Sequence, residues 1–182
     1  MLAGKRCRLE PILSLHDESA QHLKLLNDPE VTRYLGIGRF PETEERNRRY
    51  LQRFMDSDTC LIFKIVANES DSHIGNVTLN EIRWIHRTAD TSIVLWEKSF
   101  WGKGYATEAW RLLLNYAFRS LGLRKITACL VEGNLGSQKT LEKLGFKQEG
   151  RLRKQWLLDG EWRDVLKYGI LVDEYDLAAR PW

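Results

Sequence analysis

The stretch Ser99-Phe100-Trp101-Gly102-Lys103-Gly104-Tyr105-Ala106-Thr107-Glu108-Ala109 lies between two runs of opposite periodicity. Before it, Asp90 to Glu97 (DTSIVLWE) reads as a central strand. After it, Ala106, Ala109, Leu112, Leu113, Tyr116 and Ala117 recur at the three- and four-residue spacing of one buried helix face, with Gly122 where a C-terminal cap belongs. Two glycines between a strand and a helix let the backbone approach a ligand closely, and the first helical N–H groups point outward as donors at the positive end of the helix dipole. Such a site suits a phosphate; the same glycines also suit a tight strand-to-helix turn with no ligand. The Walker A pattern needs four residues between its glycines and a Lys-Ser/Thr end, and the dinucleotide fingerprint needs a third glycine, so neither is present.

Working outward toward the C-terminus, Lys125 to Val131 reads as a buried strand. Asn134 precedes a short helix through Leu141 and Leu144 that stops at Gly145. Leu152 to Leu158 and Glu161 to Val172 flank an Asp159-Gly160 turn and form a hairpin. Toward the N-terminus, Lys5 to Ile12 reads as a first strand. A helix begins at Asp17 and carries Glu18, Ala20, Leu23, Leu25 and Leu26 up to the Asn27-Asp28-Pro29 turn. A short helix at Glu30 to Leu35 follows, then a loop, Gly36 to Pro41, expected to be mobile because it mixes Gly with Ile37 and Phe40. Thr43 caps a charged helix whose Tyr50, Leu51 and Phe54 share a face. Cys60 to Ala67 and His73 to Ile82 form a hairpin. No repeat or linker interrupts this order, so the expectation is one mixed α/β domain across residues 1–182.

Composition narrows the classes. With 182 residues, 43% of them hydrophobic, the chain can bury a core of one ordinary domain. Lys+Arg 28 against Asp+Glu 25 gives +3, a mild excess that suits an anionic ligand and falls short of a nucleic-acid-binding composition. Cys7, Cys60 and Cys129 are odd in number and far apart, which supports neither a disulfide framework nor a zinc site and fits a reducing cytosol. His16 and His22 lack ligand spacing, so no metal is expected. No apolar run approaches the roughly 18 residues that cross a bilayer, and the start has no apolar signal-peptide core. Most of Trp84, Trp96, Trp101, Trp110, Trp156 and Trp162 are expected in the core, and Arg46, Arg48, Arg49 and Arg53 on a solvated helix face.

The run WGKGYATEA resembles the acyl-CoA pyrophosphate loop of the GNAT N-acetyltransferase superfamily, whose pattern is Gln/Arg-x-x-Gly-x-Gly/Ala; Trp101 replaces the usual Gln/Arg. The form of the run is similar to the RimJ/RimL branch. Asn134-x-x-Ser137-x-x-x-Leu141-Glu142-Lys143-Leu144-Gly145-Phe146 resembles a second element of that branch, and EGRLRKQWLLDGEWRDV its closing hairpin. The resemblance covers Asp90 to Val172 firmly and the N-terminal half only in the order of elements.

That resemblance implies a GNAT-like α/β fold: a central mixed, mostly antiparallel sheet with helices on both faces, and a strand splayed from its neighbour ahead of the glycine turn. It implies acetyl-CoA as co-substrate. The backbone of Ile93, Val94, Leu95 and Trp96 would hold the pantetheine arm and thioester, and Gly102, Lys103, Gly104, Tyr105, Ala106 and Thr107 the pyrophosphate. Asn134 would bond the pantetheine or hold the next turn. Many members carry a Tyr at the Leu141 position to protonate the leaving thiolate, which here leaves Ser137. An alkyl amine is protonated at neutral pH, so a proton acceptor is needed. Asp90, on the same side of its strand as Ser92 and Val94, is the candidate, with burial expected to raise its pKa; Glu81, His86 and Glu97 compete. Trp156 stands where some members use a Glu. The acceptor implied is a primary amine (small amine, amino sugar or protein N-terminus), and the stretch NEIRWIHRTADTSIV looks more like the small-amine and amino-sugar members. The protein would be a monomer or homodimer acting without metal, nucleic acid or membrane. A non-catalytic acyl-CoA-binding module is the alternative, favoured by Leu141 and the lack of an obvious base.

Overall fold

The computed structural model describes residues 1–14, 23, 25–36 and 40–175. The expected helix start at Asp17, His16, His22 and Ile37 of the expected mobile loop lie outside them. The strands are β1 (Leu2–Ala3), β2 (Cys7–Pro11), β3 (Leu61–Ala67), β4 (Ser72–Arg83), β5 (Thr88–Leu95), β6 (Lys125–Val131), β7 (Lys147–Leu158) and β8 (Glu161–Leu171). They form one sheet in the order β1-β2-β3-β4-β5-β6-β8-β7. Every neighbouring pair is antiparallel except β5 with β6. Parallel neighbours need a crossover connection, and the helix expected after the glycine turn supplies it.

The helices are α1 (Pro29–Thr32), α2 (Glu44–Met55), α3 (Tyr105–Asn115) and α4 (Leu135–Lys143). Their starts are set by local chemistry. Thr43 accepts the Arg46 N–H at 3.2 Å, and Asn134 accepts the Ser137 N–H at 3.2 Å. A wider π turn, Tyr116–Ser120, extends α3 before Gly122 closes it at φ +65°.

Strand alternation decides which face each helix covers. Ala89, Ile126, Ala128 and Ile170 turn to one face and join Ala109, Leu113 and Ala117 of α3 and Leu141 of α4 in the main core. On the other face Ile62 packs with Leu51 and Phe54 of α2, and Trp96 packs with Leu26 and Val31. Helices therefore lie on both faces of the sheet. One polar link crosses the main core without an orphan: Trp110 Nε1 donates to Thr91 Oγ1 at 3.0 Å, and Thr91 Oγ1 donates to the Thr78 carbonyl at 2.8 Å.

Several expectations need correction. The central strand begins at Thr88 and ends at Leu95, so Trp96 and Glu97 lie beyond it. The first strand is two, Leu2–Ala3 and Cys7–Pro11, and the turn between them requires Gly4: a Cβ there would sit 2.3 Å from Glu108 Oε1 and 2.7 Å from the Cys7 carbonyl. β7 starts at Lys147, five residues before the expected Leu152, and is broken by register shifts between Gln148 and Gly150 and between Leu152 and Trp156. Those bulges disrupt the alternation that marks a strand in sequence. The Asp159-Gly160 turn is as expected, both residues left-handed at φ +51° and +79°. The tryptophans are not mostly core: Trp96 and Trp110 are buried, Trp156 is half-buried, and Trp84, Trp101 and Trp162 are exposed.

Candidate active site

The parallel pair at the centre of the sheet is incomplete. β5 stays paired with β4 up to Leu95, opposite Gly75, and β6 stays paired with β8 up to Val131, opposite Val165. Between β5 and β6 the pairing covers Thr88 with Lys125, Ala89 with Ile126 and Asp90 with Thr127. Past that row the two strands part, and a chamber of about 330 Å³ occupies the opening, lined by Ser92, Ile93 and Val94 from one strand and Cys129, Leu130 and Val131 from the other. The splay expected ahead of the glycine turn is present.

The glycine turn follows directly. Gly102 at φ +71° and Gly104 at φ +88° occupy the left-handed region that a side chain strains. Gly104 is the N-cap of α3 and offers no side chain of its own. The Glu108 N–H bonds the Gly104 carbonyl at 3.0 Å, while the N–H groups of Tyr105, Ala106 and Thr107 find no acceptor among the described residues. A positive charge stands beside them: Arg6 Nε lies 3.4 Å from where a Gly104 Cβ would sit, and the Arg6 N–H is fixed by Glu108 Oε1 at 2.7 Å. Tyr105 is buried against Phe100 edge to face, ring centroids 5.0 Å apart; Ala106 and Thr107 are half-buried and Lys103 is exposed. Free donors, a helix dipole and a guanidinium at one point could hold an anion, with the Glu108 carboxylate turned onto the Arg6 N–H.

Trp101 joins this turn to the splayed strand, its indole Nε1 donating to the Leu95 carbonyl at 2.8 Å. The Trp96 N–H donates to the Ile74 carbonyl at 3.1 Å, and its indole to the His73 carbonyl at 3.2 Å. Of the four residues expected to lend backbone groups, Ile93 and Val94 line the chamber, whereas the Leu95 carbonyl and the Trp96 N–H already have protein partners.

Asp90 sits on the last paired row, where the strands part. Its Oδ2 accepts the Thr127 hydroxyl at 3.0 Å, and burial pushes its pKa up from 3.8 to about 6, with the Thr127 hydrogen bond opposing and the Glu81 charge assisting. It lines a second cavity of about 700 Å³ that also touches Glu81, Lys125, Glu149 and Lys167; Cys129 lines both cavities. The competing bases are placed less favourably. Glu81 is exposed and paired with Arg83 at 3.0 Å, His86 is exposed in the β4–β5 turn, and Glu97 lies beyond the far end of β5, accepting the Ser99 hydroxyl at 3.3 Å.

Asn134 and Ser137 lie where β6 leads into α4. The Asn134 side chain caps the helix, and Ser137 is half-buried in its first turn; neither lines the chamber. Leu141 is a core residue, 1% exposed.

Of the remaining chamber wall, only Trp156 was singled out as a site position in the sequence, by the resemblance that puts a Glu there in some members. Tyr34, Tyr50, Asn76, Thr78 and Trp156 close it, brought together from segments far apart in the chain. The segment bearing Tyr34 is held across the opening. Arg33 pairs with Asp159 at the hairpin tip (2.8 Å), the Tyr34 hydroxyl donates to the Gly133 carbonyl (3.1 Å), and Lys98 pairs with Asp28 (2.8 Å) and Glu30 (2.5 Å). Among the described residues, no group of three or more His, Cys, Asp or Glu is placed to hold a metal ion, and no helix is long and apolar enough to cross a membrane.

The parted parallel strands beside a glycine-capped helix agree with the expected GNAT-like fold, and comparison with known proteins gives the family. The model of the acetyltransferase (GNAT) domain matches residues 6–147. The chain belongs to the GNAT acetyltransferase family and is an N-acetyltransferase. A Bacillus subtilis (strain 168) protein named "Probable N-acetyltransferase YjcK" is 32% identical over 180 residues, 94% of this chain and 97% of its own. The spermidine N-acetyltransferase from Vibrio cholerae, solved with CoA and spermine, superposes with a TM-score of 0.80 at 24% identity, over 93% of this chain and 98% of the other. RimL, a ribosomal alpha-N-protein acetyltransferase solved with coenzyme A, gives 0.83 at 20% identity, over 94% and 97%. These two likenesses concern the fold.

Proposed function

We propose that this chain, acting as one domain across residues 1–182, transfers an acetyl group from acetyl-CoA to a primary amine as a RimJ/RimL-like cytosolic enzyme. The observation that carries the reading is the parting of β5 from β6 beside the Gly102–Thr107 turn. The unpartnered N–H groups of Tyr105, Ala106 and Thr107, with Arg6 beside Gly104, fit a pyrophosphate, and the opening between the strands fits a pantetheine arm. Ile93 and Val94 line the stretch along which that arm would run. Trp101 holds the Leu95 carbonyl and so fixes the turn on the strand. The cysteines are unpaired, which suits a reducing compartment.

The amine attacks the thioester carbonyl carbon, its nitrogen loses a proton and the thiolate gains one. Asp90 is assigned the first role. A carboxylate of pKa about 6 is ionised at neutral pH and is a better proton acceptor than an ordinary Asp, and Asp90 lines the cavity that shares Cys129 with the chamber. Ser137 is assigned the second, since Leu141 has no proton to give; Asn134 keeps Ser137 at the helix start. A screen of thiol release from acetyl-CoA against pooled amines, with mass spectrometry of the products, tests the reading. Absence of any acetylated amine would sink it.

A further inference from the structure

Among the described residues, the lining of the chamber includes no charged side chain. Its described wall is built from the rings of Tyr34, Tyr50 and Trp156, the neutral polar groups of Asn76, Thr78 and Ser92, and aliphatic side chains of β5, β6 and β8; none is a carboxylate or a cation. The polar groups already answer one another. Thr78 and Ser92 hydroxyls are 2.8 Å apart, and Asn76 Oδ1 lies 2.9 Å from His73 Nε2.

From this wall we infer that the acceptor is a small primary monoamine with an uncharged alkyl or aryl body, and that polyamines are poor substrates. The inference rests on the acetyl-transfer reading above and specifies its substrate class. Aromatic faces and aliphatic walls hold an apolar body by burial and shape. A second ammonium carried into the same space gives up its water and meets no carboxylate among the described lining residues.

The neighbouring cavity does not supply that charge. Its acids are Glu81, Asp90 and Glu149, and cations answer them: Arg83 pairs with Glu81 at 3.0 Å, Lys125 with Glu149 at 2.7 Å, and Lys167 lies close enough to lower the Asp90 pKa against burial. A polycation entering past Cys129 meets a balanced set of charges. Size points the same way. The Arg33–Asp159 pair and the Tyr34–Gly133 hydrogen bond hold a segment over the opening, with Trp156 directly beneath: a Cβ on Gly36 would come within 3.8 Å of its ring. That roof suits a small molecule better than a polypeptide end.

The test is a pair of acceptors matched in length, 1-aminohexane and 1,6-diaminohexane, with spermidine and an uncharged N-terminal tetrapeptide alongside. CoA affinity is measured by calorimetry on the same protein. The expected result is a kcat/KM for 1-aminohexane at least about thirtyfold above each of the other three, the scale on which an unanswered buried charge is rejected. Tyr50→Glu, on the solvent-facing helix α2, should narrow the monoamine-to-diamine ratio at least about tenfold while leaving CoA affinity unchanged, which also reports that the variant folds. Equal or better use of spermidine, the diamine or the tetrapeptide overturns the inference while the acetyl-transfer reading stands. So does a Tyr50→Glu variant that binds CoA normally but keeps the native ratio. Failure of the native protein to bind CoA and to release thiol with any amine overturns the acetyl-transfer reading, and this inference with it.

Discussion

Replacing Asp90 by Asn should make the protein more stable and a poorer catalyst, and the gain in stability should grow with pH. The carboxyl titrates near 3.8 in the unfolded chain and at about 6 in the folded protein, where burial opposes its charge. A folded pKa above the unfolded one means the group favours folding fully below pH 3.8, and that contribution is lost as pH rises through 6. The shift of about two units, at about 1.4 kcal/mol each, puts the ionised carboxylate at a cost of roughly 3 kcal/mol above pH 7. Asn keeps an oxygen for the Thr127 hydroxyl, now 3.0 Å from Asp90, and carries no charge. The stability difference should therefore widen by about 1.4 kcal/mol between pH 5 and pH 8. At about 2–4 °C per kcal/mol for a chain of this size, Tm of the variant should exceed that of the native protein by about 5 °C or more at pH 8. Thermal melts across pH measure this directly. In the same variant the acidic limb of kcat/KM, centred near pH 6, should flatten, and the rate at pH 7 should fall by roughly a hundredfold or more. A variant that is less stable at pH 8, with a gap indifferent to pH, would refute the desolvation argument. An unchanged pH–rate profile would move the proton acceptor elsewhere.

Three further outcomes follow from the site. Gly104→Val places a β-branched residue at φ +88° facing Arg6, and calorimetry should show CoA binding lost with circular dichroism unchanged; undiminished affinity would remove the phosphate role from this turn. Ser137→Ala should lower kcat by about ten- to a thousandfold with little change in the acetyl-CoA KM, and a change within twofold would make the serine a helix-start residue only. Acetyl transfer should survive EDTA, because thioester aminolysis at this site uses donors and acceptors from side chains and backbone; a loss restored by one divalent ion would contradict that.

What could be read from the sequence was what is encoded over a few residues. A cap is an interaction across three residues, so Thr43 and Asn134 mark their helices in sequence as in space. The Asp159-Gly160 turn and the two left-handed glycines at 102 and 104 are equally local. The side on which Asp90 lies was legible for a related reason, since strand alternation fixes it, and burial on that side raises its pKa in the expected direction. The acceptor wall was not. Tyr34, Tyr50, Asn76 and Trp156 come from four segments whose meeting depends on how the N-terminal portion folds across the sheet, and no spacing in the sequence carries that. The tryptophans misled for the same reason, since a large apolar side chain reads as core until the tertiary surroundings are known, and Trp101 and Trp162 stand at the surface.

If the glycine turn holds the nucleotide as proposed, that half of the site should tolerate a change of side chain at Trp101 where the acceptor half should not. The family pattern has Gln or Arg at this position; here an indole donates its one N–H to the Leu95 carbonyl, tying the glycine turn to the end of the splayed strand. What that turn presents to a ligand is backbone, so the residue at 101 acts by positioning it. Trp101→Phe keeps an aromatic side chain, smaller than the indole, and deletes the donor. A neutral hydrogen bond contributes about 0.5–1.5 kcal/mol net, so CoA affinity should weaken by about two- to tenfold as the turn loses its tether. The ratio of kcat/KM between 1-aminohexane and 1,6-diaminohexane should not move, because the chamber wall that discriminates them contains no part of Trp101. Calorimetry and the paired kinetics separate the two readouts. If Trp101→Phe shifts the acceptor ratio and spares CoA affinity, the indole belongs to the acceptor side and the division of labour between backbone and side chain drawn here is wrong.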